Sequence, residues 1–230
     1  MTGIQKMGAL HMAKKKKKKK SGLGGRLMGL VLALGLMAGC FAAGWHFGAQ
    51  STRVKANILL VNEAHPLAAD YVPEALVNLY EQRHSFRMAS SEIYLTRETY
   101  EAMERMFHAA EEAGMNGYIV TSGYRSYERQ VEVYAQSEPG LAQKPGASEH
   151  QTGLSFDVTV ETSEGFESTP QYGWLITHAH EYGFIQRYPA NKSDVTGISY
   201  EPWHYRYVGV DAATRMHRTG QTLEEFLGER

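Results

Sequence analysis

The chain has 230 residues, 43% of them hydrophobic and 21% charged, a globular balance that argues against disorder and leaves room for one or two domains. Its formal net charge of -1 hides an asymmetry. Residues 1–52 hold nine basic groups (Lys6, Lys14 through Lys20, Arg26) and no acid, which leaves 15 of the 24 basic residues against all 25 acids in residues 53–230. That acidic remainder speaks against nucleic-acid binding.

The lysine run is followed by 23 uncharged residues, Leu27 to Ala49, long enough to span a bilayer, with the positive charge on one flank. The pattern predicts a basic cytoplasmic tail over 1–26, a single-pass transmembrane signal anchor over 27–49, and a membrane protein whose remaining chain lies outside the cytoplasm. Two other readings stay open. A cleaved signal peptide shares the basic and apolar regions but has a shorter apolar run, and "LMAGC" resembles a lipobox that would lipidate Cys40. Cys40 is also the only cysteine, so the exported part has neither disulfides nor thiolate chemistry, and any metal there must be held by His, Asp or Glu.

Residues 50–69 read as a polar tether, with Pro66 and Pro73 marking turns before a domain spanning 70–230. Thr96 to Gly114 predicts a helix: Thr96 can cap it, and Tyr100, Met103, Phe107 and Ala110 share one face. Asn116-Gly117 turns the chain into a strand, "YIVTS". A second helix starts near Ser126 and carries Val131 and Tyr134. After the loop "SEPGLAQKPGA" come a strand over 154–160, a helix over 172–182 closed by Gly183, the strand "FIQRY", and a last core strand in "WHYRYVG". Thr222 and Glu225 form a capping box for a short terminal helix. Helices and strands alternate too irregularly for a doubly wound sheet, so the expected class is α+β with a mainly antiparallel sheet flanked by helices.

Within this frame "SEHQTGLSFD" places His150 and Asp157 at the entry of a strand that otherwise reads as buried. An uncompensated buried carboxylate costs about 2–7 kcal/mol, and a bound cation is one compensation. His204, in "YEPWHYRYVG", supplies a third donor with Trp203 and Tyr205 as an apolar wall. Two His and one Asp with an open fourth position suit catalytic zinc, and Glu201, three residues before His204, suits a general base that does not ligate the metal. Arg125, in "TSGYRSYERQ", offers a cation on a strand-to-helix turn. Ser148, Tyr124, Gln130 and Trp203 are candidates for holding substrate, and Arg187 for pairing with a free C-terminal carboxylate. His65, His84, His108, His178, His180 and His217 read as structural or surface residues.

Taken in order, "SGYRSYERQ", "SEHQTGLSFD", "WLITHAHEYGFIQRYP" and "TGISYEPWHYRYVG" resemble the VanY-type D-alanyl-D-alanine carboxypeptidases of the M15 zinc peptidase family, over roughly residues 70–210. The resemblance implies one zinc ion on His150, Asp157 and His204, Glu201 as base, and Arg125 near the scissile carbonyl. It also implies the α+β fold shared with hedgehog-type domains, and removal of the terminal D-Ala from peptidoglycan stem peptides. Ser155 stands where the family usually has Ala, a change from which little effect is expected. L,D-carboxypeptidase activity on tetrapeptides and cross-link endopeptidase activity use the same zinc motifs. A non-catalytic wall-binding domain would need neither Glu201 nor Arg125. Tyr124, Trp203 and Tyr205, if crowded at the site, favour a small D-Ala before the scissile bond, hence the pentapeptide.

Overall fold

The structure is a computed structural model that describes residues 58–138 and 142–229. The expected basic tail (1–26) and membrane segment (27–49) lie outside the described residues. Among the described residues no helix is long and apolar enough to cross a membrane.

In chain order the elements are β1 (Leu76–Asn78), β2 (Arg87–Met88), β3 (Tyr94–Thr96), α1 (Arg97–Glu112), β4 (Tyr118–Ser122), α2 (Tyr127–Gln136), a 3-10 turn (Glu149–Thr152), β5 (Ser155–Val160), α3 (Pro170–His178) running into a 3-10 turn (Ala179–Tyr182), β6 (Phe184–Tyr188), α4 (Ser193–Thr196), β7 (Glu201–Tyr207), α5 (Val210–Thr219) and α6 (Leu223–Leu227). The main sheet has the order β2-β4-β5-β7-β6, and β1 and β3 form a separate antiparallel pair. In the main sheet only β2–β4 is parallel. The fold is therefore α+β with a mainly antiparallel sheet, as the irregular alternation of elements implied.

Helix α1 begins where Thr96 Oγ1 accepts the backbone N–H of Thr99. Tyr100, Met103, Phe107 and Ala110 are all buried, so the 3.6-residue spacing does carry the inward face. The Phe107 ring lies 4.7 Å from that of Tyr118 on β4 and 5.9 Å from that of Phe156 on β5, which seats the helix on the sheet. Burying a side chain of this size contributes about 1.5–3 kcal/mol, so this contact fixes the platform that carries the site.

Three details depart from the sequence reading. Val131 and Tyr134 on α2 are exposed, and the buried residue of that helix is Gln130. Its inward side meets a polar loop rather than the core. Helix α5 was not anticipated; its inward residues Ala212, Ala213 and Met216 are too few and small for an obvious apolar stripe. Finally, the polar tether expected over 50–69 ends early, because Leu60 packs with Ala212, Met216, Leu223 and Phe226.

Candidate active site

Strands β5 and β7 run antiparallel with Asp157 and His204 as register partners. Asp157 Oδ1 lies 3.0 Å from His204 Nδ1. His150 enters from the 3-10 turn before β5, and its Nε2 is 3.3 Å from Asp157 Oδ2. Gly153 closes that turn with φ 66°, a left-handed conformation that suits a residue without a side chain. The other nitrogen of His150, Nδ1, is 2.7 Å from the Gly123 carbonyl oxygen, which fixes the ring and leaves Nε2 as the free donor. Gly123 is itself required here, since a Cβ would come within 2.4 Å of the Tyr94 carbonyl oxygen.

One donor atom from each of His150, Asp157 and His204 lies within 4.8 Å of the others, and among the described residues this is the one such group of three or more His, Cys, Asp or Glu side chains. Two imidazoles and one carboxylate, two of them buried, form the borderline nitrogen and oxygen set that zinc takes. The donors present therefore fit a zinc ion. Burial alone would raise the Asp157 carboxyl, but His150 and His204 overcome it and hold Asp157 well below the usual range. Burial would lower His204, yet the Asp157 and Glu149 carboxylates raise it to about 9.

Glu201, at the start of β7, has Oε2 3.9 Å from His204 Nδ1. Burial pushes its carboxyl up to about 7, with the Asp157 and Glu149 charges adding to the shift and His204 and Arg125 opposing it. A carboxylate poised near neutrality is suited to moving a proton. Arg125 follows β4, near the register shift between Val120 and Ser122. Its guanidinium donates to Gln130 Oε1 at 2.8 Å and Ser122 Oγ at 3.2 Å, and its backbone N–H donates to the His150 carbonyl at 3.1 Å. It is thus fixed to the same turn that delivers His150.

Arg125, Gln130, Ser148, Trp203, Glu201 and the three donors line one cavity of about 190 Å³. Ser148 precedes the 3-10 turn without capping it. Trp203 is 42% exposed at this cavity. Gln130 also lines it, but both ends of its amide are engaged, since Nε2 donates to the Gln143 carbonyl at 2.6 Å. Its role falls on Arg125 rather than on a substrate.

Other expectations do not hold. Arg187 is 1% exposed; its Nε donates to Glu149 at 2.8 Å and its Nη1 to Glu224 at 2.9 Å. Nothing of this guanidinium is left for a substrate carboxylate, because a buried arginine must be matched by buried carboxylates. Tyr205 is fully buried and stacks on Phe156, and Tyr124 does not line the cavity, so of the three aromatics expected to crowd the substrate only Trp203 does so. Glu149 and Tyr188 also line the cavity and escaped the sequence reading. Arg187 and Arg206, both in segments that read as core strands, were the available signal for Glu149.

The VanY family, described as D-alanyl-D-alanine carboxypeptidase, matches residues 92–210, which include every member of this cavity. The chain belongs to the VanY family. It is 36% identical over 174 residues to a D-alanyl-D-alanine carboxypeptidase of Enterococcus faecium, covering 74% of this chain and 57% of that protein, so it spans little more than half the length of that relative. The solved structure of the LdcB LD-carboxypeptidase is similar at a TM-score of 0.65 and 38% identity, covering 74% of this chain and 84% of that one. A vancomycin resistance D,D-pentapeptidase VanY variant, solved in complex with Zn(II), is similar at a TM-score of 0.61 and 34% identity, covering 74% of this chain and 97% of that one. The metal in that VanY-family neighbour is the one that the His150, Asp157 and His204 set fits.

Proposed function

We propose that this VanY-family chain is a zinc-dependent carboxypeptidase that removes the terminal D-Ala from peptidoglycan stem pentapeptides. The observation that carries the reading is the convergence of a zinc-type donor set, a carboxylate with raised proton affinity and a fixed guanidinium on one small cavity. A structural zinc site would have no use for the last two.

His150, Asp157 and His204 would hold the ion, which when bound polarises a carbonyl and acidifies water to a pKa of about 7. Glu201 takes the proton of the attacking water on its carboxylate and hands it to the leaving amine, and its raised proton affinity helps the first of these transfers. Arg125 faces the charge that develops on the carbonyl oxygen; because Gln130 and Ser122 hold it in place beforehand, little reorganisation is needed as that charge grows. Trp203 and Ser148 are left to contact the stem peptide. With Arg187 buried, Arg125 is the one arginine or lysine lining the cavity among the described residues.

A second reading, L,D-carboxypeptidase action on tetrapeptides, is favoured by the similarity to LdcB at 38% identity. Trp203 alone does not decide between a D-Ala and a longer residue before the scissile bond. Hydrolysis of a D-Ala-D-Ala-terminated peptide, lost on dialysis against a chelator and regained with zinc, tests the proposed activity. Retention after complete metal removal would refute it.

The location proposed for this activity is the outer face of the cytoplasmic membrane, with residues 27–49 as anchor. The support is the uncharged run and the basic residues that all precede it.

A further inference from the structure

Behind the donor set lies a group of buried charges that neither reach the metal position nor assist the proton transfers. The Glu149 side chain has no exposed surface, and its Oε2 faces His204 Nε2 at 3.5 Å, an ion-pair distance rather than a hydrogen bond. This is the ring nitrogen that does not face Asp157; it is buried and has no hydrogen-bond partner. Glu149 Oε1 receives Arg187 Nε at 2.8 Å and has Arg206 Nη1 at 3.0 Å, while Ser155 Oγ donates to Oε2 at 3.4 Å. Arg187 turns its two terminal nitrogens to the two carboxylate oxygens of Glu224, on α6. Two carboxylates and two guanidiniums thus balance in the interior, and they tie the turn before β5, strands β6 and β7, and the terminal helix into one unit.

We propose that Glu149 is the positioning residue for His204, and that Glu224, acting through Arg187, holds Glu149 in place, so that the terminal helix is part of the metal centre. The proposal rests on the zinc reading above. An imidazole that ligates a metal through one nitrogen generally gives its other N–H to a carboxylate or carbonyl, which sets the tautomer and the ring angle. For His150 that partner is the Gly123 carbonyl. For His204 the one candidate among the described residues is Glu149, and a movement of a few tenths of an ångström turns the ion pair into a hydrogen bond. The fork of Arg187 across Glu224 restricts where Glu149 can sit, because a bidentate pair fixes direction as well as distance. Ser155, where an Ala would remove one donor to Glu149, belongs to the same unit. Glu224 lies beyond residues 92–210, the stretch that the family model matches.

The test is zinc affinity of the full chain, purified in detergent and measured by competition with a chromophoric chelator, together with the visible spectrum of the cobalt-substituted protein. Mutating such an outer partner weakens metal binding by about 10- to 100-fold, which is the loss expected for Glu149→Gln. Glu224→Gln is expected to give a smaller loss in the same direction, and Glu224→Asp, which keeps the charge, to restore part of it. Both glutamine variants should shift the cobalt absorption while their circular dichroism stays that of the parent. Should Glu149→Gln fail to fold, Glu224→Gln and Glu224→Asp, at the far end of the unit, decide. Folded variants with parental zinc affinity and an unshifted cobalt spectrum, whether or not their melting temperature falls, overturn the proposal. A parent chain that bound no zinc would overturn the zinc reading itself.

Discussion

Asp157 and His204 sit opposite each other across the β5–β7 ladder, with Asp157 Oδ1 3.0 Å from His204 Nδ1. In an antiparallel pair such partners point to the same face, so the sheet alone brings two of the three donors together. His150 is added by the turn that starts the same strand. Removing any one donor leaves two, which is too few for a tight site. Asp157→Ala and His204→Ala are each expected to lose stoichiometric zinc in equilibrium dialysis while remaining folded. Full zinc content in His204→Ala would remove His204 from the ligand set.

Glu201 should separate metal content from rate. Glu201→Gln is expected to keep its zinc and to lose about 10²- to 10⁴-fold in turnover, the range for a positioned proton-transfer group. A variant that lost its zinc as well would make Glu201 a ligand.

The same residue sets the acid side of the pH profile. As base Glu201 must be ionised, so activity should fall as pH drops through its pKa, raised to about 7 by burial. A cation on the neighbouring donors pulls that value back toward 4.5, the ordinary value, so the acid limb should lie between the two. There is also a stability consequence. Because the folded-state pKa exceeds the unfolded one, the ionised carboxylate works against folding above pH 4.5, fully so above about 7. Glu201→Gln should then stabilise the zinc-free protein at pH 8 by roughly 1–3 kcal/mol in urea unfolding. A loss of stability there would contradict the burial argument.

Arg125→Ala should cost about 10²- to 10³-fold in kcat, as for loss of one oxyanion donor, with a smaller effect on KM. Gln130→Ala, which leaves the guanidinium in place but unsupported at Nη1, should cost less and in the same parameter. If Gln130→Ala changed only KM, Gln130 would be a substrate contact after all.

The parts of this molecule that were legible in its sequence are those decided locally. The inward face of α1 follows from the spacing of Tyr100, Met103, Phe107 and Ala110, and the terminal helix from the Thr222 and Glu225 capping box, in which each side chain bonds the other residue's backbone N–H. The donors His150, Asp157 and His204 were legible because polar groups in apolar strands, or at the entry of one, need a reason. What depended on tertiary pairing was not legible. Whether Arg187 meets a substrate or a buried Glu224 is settled by a contact between positions 37 residues apart. Tyr205 reads like Trp203 in sequence and shares its face of β7, but Tyr205 lies over Phe156 in the core whereas Trp203, two residues nearer the start of the strand, is exposed. Strands β1 to β3, of three, two and three residues, are too short to show a period.

The proposed anchor predicts that the full chain stays with the membrane fraction after a high-salt wash and that protease added to spheroplasts reaches the exported domain. Release of a shortened chain into the medium would favour a cleaved signal, and palmitate incorporation abolished by Cys40→Ala would favour a lipoprotein.

The central claim is tested most directly by giving the zinc-loaded full chain equal amounts of pentapeptide and tetrapeptide muropeptides in one tube and following both by mass spectrometry. The expected result is loss of one terminal alanine from the pentapeptide, absent in Glu201→Gln, with the tetrapeptide left intact. A pentapeptide that stays whole in the presence of stoichiometric zinc would contradict the proposed activity. Trimming of the tetrapeptide alone would reassign the same centre to L,D chemistry.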